Sequence, residues 1–488
     1  MKRAPSGLVP AIAIDRASAK PLYRQLYEGY REAILARRLR ASQRLPSTRS
    51  LASELAISRI PVLTAFEQLL AEGYIESRVG AGSFVARSLP GDFGATASSP
   101  AARRPGRRTL ARGPAPLLRR EPTPWLGGWG AFRVSQTAVE HFPLETWSAL
   151  VARHCRASRA SLMRYGDALG ERGFREAVAA YLRTSRGVRC EAGEIMVVSG
   201  SQQALEVTAR VLLDPGSQAW VEDPGYSGAR DALAMVGACL APVPVDAQGL
   251  DVAAALRRWP RARAAYVTPS HQYPLGATMS ASRRLQLLDW AQASGAWIIE
   301  DDYDSEFRYD SQPIAALQGL DRDSRVVHIG TFSKVLFPAL RLGYIVMPPD
   351  LVQRFVTIRG AMDIFPPTLY QTVLTEFIGD GHFARHLRRM RLLYRERHGA
   401  LVHAIHEEFE GALRPVGDRA GMHLVATLEP GIDDRELSAR AARAQLWVMP
   451  LSACYLSRAA RPGLVLGYGG TDVQEIRAGV RRLRDLLA

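Results

Sequence analysis

Lysine is nearly missing from this chain. Its 488 residues include 63 lysines and arginines, of which only Lys2, Lys20 and Lys334 are lysine. Wherever a generic cation serves, the chain uses arginine, so the single lysine beyond residue 20 stands out. Only a primary amine condenses with an aldehyde to a Schiff base; a guanidinium stays protonated and does not. Cysteine is scarce as well. Cys155, Cys190, Cys239 and Cys454 are far apart and form no CxxC pair, which does not fit a zinc site and fits a reduced, cytoplasmic setting. No apolar run approaches the roughly 20 residues of a membrane helix. The short stretch Leu8 to Ile14 runs into Asp15 and Arg16 with no small-residue cleavage site, and does not read as a signal peptide.

What is present is unevenly placed. Residues 1–125 hold 21 basic against 9 acidic side chains, whereas the rest of the chain holds 42 against 39. A basic front on a near-neutral body points to a polyanionic partner for the front. Composition divides the chain into three: a compact, helix-rich segment at 15–87, a linker at 88–125 rich in Pro, Gly, Ala, Ser and Arg, and a body at 126–488. In the body, short apolar runs alternate with amphipathic stretches: Glu194–Ser199, Ala219–Glu222, Ala264–Thr268, Trp297–Glu300 and Val326–Ile329. That alternation predicts an α/β fold with a mostly parallel sheet.

In the front segment, the spacing of Leu22, Leu26, Tyr30, Ala33 and Ile34 predicts a helix from Pro21 to Arg37. Ser47 caps a second helix starting at Thr48, and Ser58 caps a third, with Pro61 near its start and Val62, Phe66, Leu69 and Leu70 turned inward. Gly73 to Val85 reads as a hairpin with glycines at its tip. Helix, helix, turn, helix, hairpin is a winged helix-turn-helix, whose third helix enters the major groove by its N-terminal residues. Ser47, Thr48, Arg49, Ser58, Arg59 and Thr64 are therefore candidate DNA contacts. Arg78 and the tip glycines Gly80 and Gly82 are candidates for the minor groove. The LPSTRSLA, SR and EGYIESRVGAGSFVA segments resemble the GntR family of bacterial regulators over about 65 residues. The chain departs from that family at Ala56, where glycine is usual, and at Ile60-Pro61, where a polar residue is common.

In the body, five motifs follow strand-like runs. Lys334 lies in Thr331-Phe332-Ser333-Lys334, seven residues before Arg341; Thr331, Ser333 and Arg341 suit a phosphate. Asp301 lies in Glu300-Asp301-Asp302-Tyr303-Asp304. Ser201 and Gln202 open a helix whose N–H groups also suit a phosphate. Tyr226 follows Asp223-Pro224-Gly225, with Arg230 one turn further on, and Thr268 to Gly276 brings His271 and Gln272 to a rim. Together these imply pyridoxal 5′-phosphate held on Lys334 as a Schiff base, with Asp301 on the pyridine nitrogen, Tyr303 on the 3′-oxygen and Tyr226 stacked on the ring. Arg230, His271 and Gln272 are candidates for binding an effector.

The set resembles fold-type-I, aspartate-aminotransferase-like enzymes over about 350 residues. Met163-Arg164-Tyr165-Gly166-Asp167 is similar to the family segment whose tyrosine reaches the partner subunit's phosphate, which implies that Tyr165 contributes to a homodimer. The whole chain resembles MocR/GabR-type regulators. The resemblance implies a pyridoxal phosphate-dependent regulator of double-stranded operator DNA, answering to a small amine, an amino acid or the cofactor itself. The competing expectations are a working aminotransferase and a DNA-binding protein without a regulatory ligand. Against the first stands Leu464-Val465-Leu466-Gly467-Tyr468, where aminotransferases commonly carry an arginine for the substrate α-carboxylate; Arg230, Arg458 and Arg461 are the possible substitutes.

Overall fold

The computed structural model describes residues 12, 14–78, 80–88, 123–157, 163–309, 314–417, 419–457 and 460–487. Most of the expected linker and Arg458 lie outside the described residues. The chain divides into two compact units, Met1–Leu110 and Ala111–Ala488.

The first unit is built from helices α1 (Leu22–Leu35), α2 (Thr48–Glu54) and α3 (Arg59–Ala71), then the hairpin β1 (Ile75–Arg78) and β2 (Gly82–Val85). Leu26, Tyr30, Ala33 and Ile34 of α1 close on Val62, Ala65, Phe66 and Leu69 of α3. Leu70, expected inward, is 44% exposed. Ala65 takes the fourth buried place, because the 3.6-residue period carries position 70 past the edge of the apolar stripe. Ser47 caps α2 by accepting the Ser50 N–H at 3.1 Å. Ser58 occupies the cap position of α3, but its side chain makes no capping bond.

The turn between α2 and α3 explains the departure at Ala56. Ala56 has φ +51°, the left-handed conformation that ends a helix and normally falls to glycine. Ala56→Gly is expected to stabilise this unit by about 1 kcal/mol, read as slower hydrogen exchange of the α2 and α3 amides in the full chain.

The second unit carries an eight-stranded sheet in the order β3-β10-β9-β8-β7-β4-β5-β6. The strands are β3 (Ile195–Val198), β4 (Gln218–Asp223), β5 (Cys239–Asp246), β6 (Gly249–Leu250), β7 (Ala264–Val267), β8 (Trp297–Asp302), β9 (Val326–Thr331) and β10 (Gly343–Val346). The central run from β5 through β4, β7 and β8 to β9 is parallel. β10 runs antiparallel between β9 and β3. Strands β3 and β7 are buried on both faces, as a sheet covered by helices requires. Two helices matter below: α4 (Ser201–Leu212), entered directly from β3, and α5 (Ser227–Met235), entered from β4. A second, four-stranded antiparallel sheet follows, in the order β11-β12-β14-β13: β11 (Leu413–Val416), β12 (His423–Leu428), β13 (Met449–Pro450) and β14 (Gly463–Gly467). No described helix is long and apolar enough to cross a membrane.

Candidate functional site

The carboxyl ends of parallel strands gather the loops that follow them, and this is where open α/β sheets place their sites. Here the loops after β4, β7, β8 and β9 surround a cavity lined among others by Lys334, Asp301, Tyr226, Tyr303 and Ser201.

Strand period decides which acid of Glu300-Asp301-Asp302 enters it. Successive side chains point to opposite faces. Glu300 is held by His328 Nδ1 at 3.0 Å and by the N–H groups of Leu317 and Gln318. Asp302 pairs with Arg186 at 2.9 Å. Asp301 faces the other way, into the cavity. Its Oδ2 accepts the Tyr266 hydroxyl at 2.9 Å, while Oδ1 is buried with no hydrogen-bond partner. Burial, with Asp302 nearby, pushes its carboxyl up to about 7 against the opposing Tyr266 bond. A buried carboxylate oxygen without a donor is costly, and a protonated ring nitrogen would supply one.

Lys334 sits in the turn after β9. The Thr331 hydroxyl accepts the Ser333 N–H at 3.1 Å and donates to the Leu342 carbonyl at 3.4 Å. Thr331 thus builds the lysine turn rather than offering its hydroxyl to a phosphate. Burial lowers the Lys334 ammonium to about 8; Asp304 and Asp301 resist the shift and Arg341 adds to it. An amine attacks an aldehyde only when neutral, and the neutral fraction grows tenfold per pH unit below the pKa. The rate at which cofactor-free protein captures pyridoxal phosphate should therefore climb roughly tenfold per pH unit, then level off above about 8. An ordinary lysine would keep climbing to about 10. Stopped-flow absorbance across pH reads the difference.

The phosphate side is equally specific. Gly200 has φ +109°, and a Cβ there would lie 3.1 Å from Arg341 Nη1. The bare glycine is what lets the guanidinium lie against the start of α4. That helix has no side-chain cap, and the Ser333 hydroxyl is buried without a partner. Uncapped N–H groups, a guanidinium and an unpartnered hydroxyl form an anion cradle. Gln202 contributes only its backbone, since its side chain donates to the Gly228 carbonyl at 2.9 Å.

The rim differs from expectation. Arg230 does not line the cavity: it pairs with Asp223 at 3.5 Å and donates to the Glu222 and Cys454 carbonyls. Gln272 is turned to Glu222 at 3.2 Å and to the Pro224 and Tyr273 carbonyls. Both tie loops together rather than face a ligand. His271 Nδ1 lies 2.9 Å from Asp304 Oδ1 and 3.0 Å from the Tyr303 hydroxyl, so Tyr303 is already engaged. Tyr226 meets Tyr273 edge-on at 5.7 Å.

Sequence reasoning missed Tyr266, Asp304, Met422, His423 and Ser135, all of which line the cavity. Tyr266, the one large side chain on the short strand Ala264–Val267, left a faint signal; His423, at the start of a strand of the second sheet, and Met422, just before it, left none. His271, Asp304 and His423 bring one ligand-type atom each to within 4.8 Å of one another. Their hydrogen bonds to each other, to Tyr303 and to Pro274 already engage them.

In the first unit, Ser47, Arg49, Ser58, Arg59 and Thr64 are exposed. Arg59 Nε donates to Thr48 Oγ1 at 3.2 Å, joining the starts of α2 and α3. Arg78 stacks over Phe84 at 4.6 Å and lies 3.8 Å from Glu76, beside the tip glycines Gly80 and Gly82, both at positive φ.

A winged-helix DNA-binding module and an aminotransferase-type body built around a lysine beside an anion-binding cradle define a two-part regulator. Family models agree: residues 22–85 match the bacterial regulatory proteins of the gntR family, and 134–482 match aminotransferase class I and II. The chain is 40% identical to the probable rhizopine catabolism regulatory protein MocR of Rhizobium meliloti, over 97% of this chain and 95% of that protein. It is 30% identical to the pyridoxine biosynthesis transcriptional regulator PdxR of Corynebacterium glutamicum, over 98% of both. Among solved structures it is similar to the α-aminoadipate aminotransferase LysN of Thermus thermophilus, complexed with N-(5′-phosphopyridoxyl)-L-leucine. That match has 29% identity and TM-score 0.68, covering 77% of this chain and 94% of that one. The chain belongs to the GntR-family transcriptional regulators that carry a class I and II aminotransferase domain, the MocR type. That domain family depends on pyridoxal phosphate, and the residues here fit it.

Proposed function

We propose that the protein is a homodimeric, cytoplasmic transcriptional regulator that binds operator DNA through residues 15–87 and senses a small amine, an amino acid or pyridoxal phosphate itself through the 126–488 body. The observation that carries this reading is the convergence, in one chain with a winged helix, of Lys334, an unpartnered Asp301 Oδ1 and the Arg341–Gly200–Ser333 cradle. Pyridoxal phosphate, when bound, supplies an aldehyde carbon with which a primary amine condenses. Lys334 is the resident amine; Asp301 holds the ring nitrogen protonated; Ser201, the backbone of Gln202, Ser333 and Arg341 hold the phosphate; Tyr226 covers the ring. Tyr165, 82% exposed, is suited to reach a partner subunit's phosphate, which supports the homodimer.

For the effector to regulate, it must bind two states of the body with different affinity. Segment 88–125 then relays the change to the DNA-binding residues. The test uses DNA selected from random sequence by the cofactor-loaded protein. Among small amines, amino acids and vitamin forms, at least one should shift DNA affinity by about tenfold, a typical coupling. If none does, and the protein turns over amino donor and keto acid at ordinary enzyme rates of about 1 per second or more, it is instead a working aminotransferase.

A further inference from the structure

Resting on the reading above, we propose that the effector is a small primary amine bearing hydroxyl groups and no carboxylate. Lys334, Asp301 and Ser201 line the cavity, and Asp304 as well as Asp301 acts on the Lys334 ammonium. The other polar groups lining the cavity are the hydroxyls of Ser135, Tyr226, Tyr266, Thr268, Tyr273 and Tyr303, the Asp304 carboxylate and the His423 ring. Among the described residues, no arginine lines it.

The place where a carboxylate clamp would stand is hydrocarbon. On β14, Val465 lies opposite Val425 of β12, two residues along from His423 and on the same face of the sheet. Val465 packs with Trp125, Met449, Leu451 and Cys454, and Tyr273 leans against that cluster. Of the arginines that might substitute, Arg230 is bound to Asp223 and two carbonyls. Arg461 lines a separate cleft with Asp223, Tyr455 and Ser457. Arg458 is outside the described residues.

A carboxylate in this cavity loses its water and meets the buried Asp304 carboxylate in return, so desolvation and like charge both oppose it. A hydroxyl meets acceptors. His271 Nδ1 lies 2.9 and 3.2 Å from the two Asp304 oxygens, one shared partner that leaves each oxygen a lone pair to offer. His423 donates Nε2–H to the Pro274 carbonyl at 3.0 Å, and burial beside His271 lowers its pKa to about 4. Its ring is therefore neutral near pH 7, with Nδ1 an acceptor. Acceptors of this kind recognise O–H groups and give a carboxylate nothing.

The experiment compares amino acids with the alcohols made by reducing their carboxyl group: glycine with ethanolamine, L-serine with 2-amino-1,3-propanediol, and β-alanine with 3-amino-1-propanol. Each is titrated into full-length, cofactor-loaded protein while the visible cofactor band and the melting temperature are followed. In at least one pair the alcohol should bind about tenfold or more tightly than the acid, because a site built to bond hydroxyls discriminates steeply. Asp304→Asn and His423→Gln should each bring that ratio towards one, with ligand-free melting recorded to exclude a folding defect. Acids binding as well as their alcohols, or a ratio unmoved in both variants, would overturn the proposal. So would a preference for acids that vanishes in Arg458→Ala, or no response to any of the six compounds at millimolar concentration in protein that shows the band. Protein that shows no lysine-dependent band fails the underlying cofactor reading instead.

Discussion

Replacing Lys334 with alanine should abolish the visible absorbance band of protein supplied with pyridoxal phosphate, and Lys334→Arg should abolish it equally. The second variant keeps the positive charge and most of the length but has no condensable amine. Loss in both therefore separates chemistry from electrostatics. Without the covalent bond, the cofactor is held only by the Arg341–Ser333 cradle, Asp301 and Tyr226. Affinity should fall at least about a hundredfold, on the order of 2.7 kcal/mol. Folding does not confound the result. Burial already disfavours the Lys334 ammonium, lowering its pKa to about 8, so removing it relieves a cost in the cofactor-free state. Cofactor-free Lys334→Ala should melt at or above the parent temperature, whereas the cofactor-supplied variant should melt below the cofactor-supplied parent, because a ligand that binds only the folded state stabilises in proportion to its affinity. Asp301→Asn makes the complementary case. It leaves the lysine amine in place, so a band forms, but it removes the charge that pairs with the ring nitrogen. Absorbance titration and paired melting curves read both variants; a band that survives in Lys334→Arg would end the cofactor assignment.

Asp301 is legible in the sequence because two local rules meet there: an acidic run directly after an apolar strand, and a period of two that lets one acid face a cavity while its neighbours face away. Lys334 is legible from composition, and Gly200-Ser201 from the strand-to-helix junction. What local pattern does not show is which nearby polar groups the fold spends on holding itself together. Arg230 and Gln272 sit in the expected segments, yet buried backbone carbonyls left unbonded by the loops around Asp223-Pro224 and Tyr273-Pro274 claim them. Thr331 is taken by its own turn for the same reason. The side of the cavity formed by His423 and Met422 is illegible for a different reason. They lie about 90 residues beyond Lys334 in sequence, at the start of a strand of the second sheet and just before it, and no periodicity announces how that sheet docks. Ala56 is the reverse case: the departure from glycine is visible in the sequence, but its meaning appears only with the positive φ.

DNA affinity should collapse with salt. Exposed Arg49 and Arg59 stand at the starts of α2 and α3, and Arg78 stands on the wing. Three or four phosphate contacts on each head of the proposed dimer make about six to eight. At a slope near −0.9 per contact, raising salt from 50 to 200 mM costs about two thousandfold to twenty thousandfold in affinity. The body contributes little, since its 42 basic residues nearly cancel its 39 acidic ones. Arg49→Ala should lower the slope by about one per head and weaken binding to all sequences alike, which marks a phosphate contact. Ile60 provides the contrast. It is 73% exposed at the start of α3, an apolar side chain where hydrophobic burial has no use for one. In a major groove its natural partner is a thymine methyl. Ile60→Ala should therefore leave the salt slope unchanged and cost about 1–3 kcal/mol against a site with thymine at one position, but not against sites lacking it. Fluorescence anisotropy over a salt series, with the selected site and its single-base variants, separates the two residues. A flat salt response in the parent protein would show that the basic front does not meet a nucleic-acid backbone.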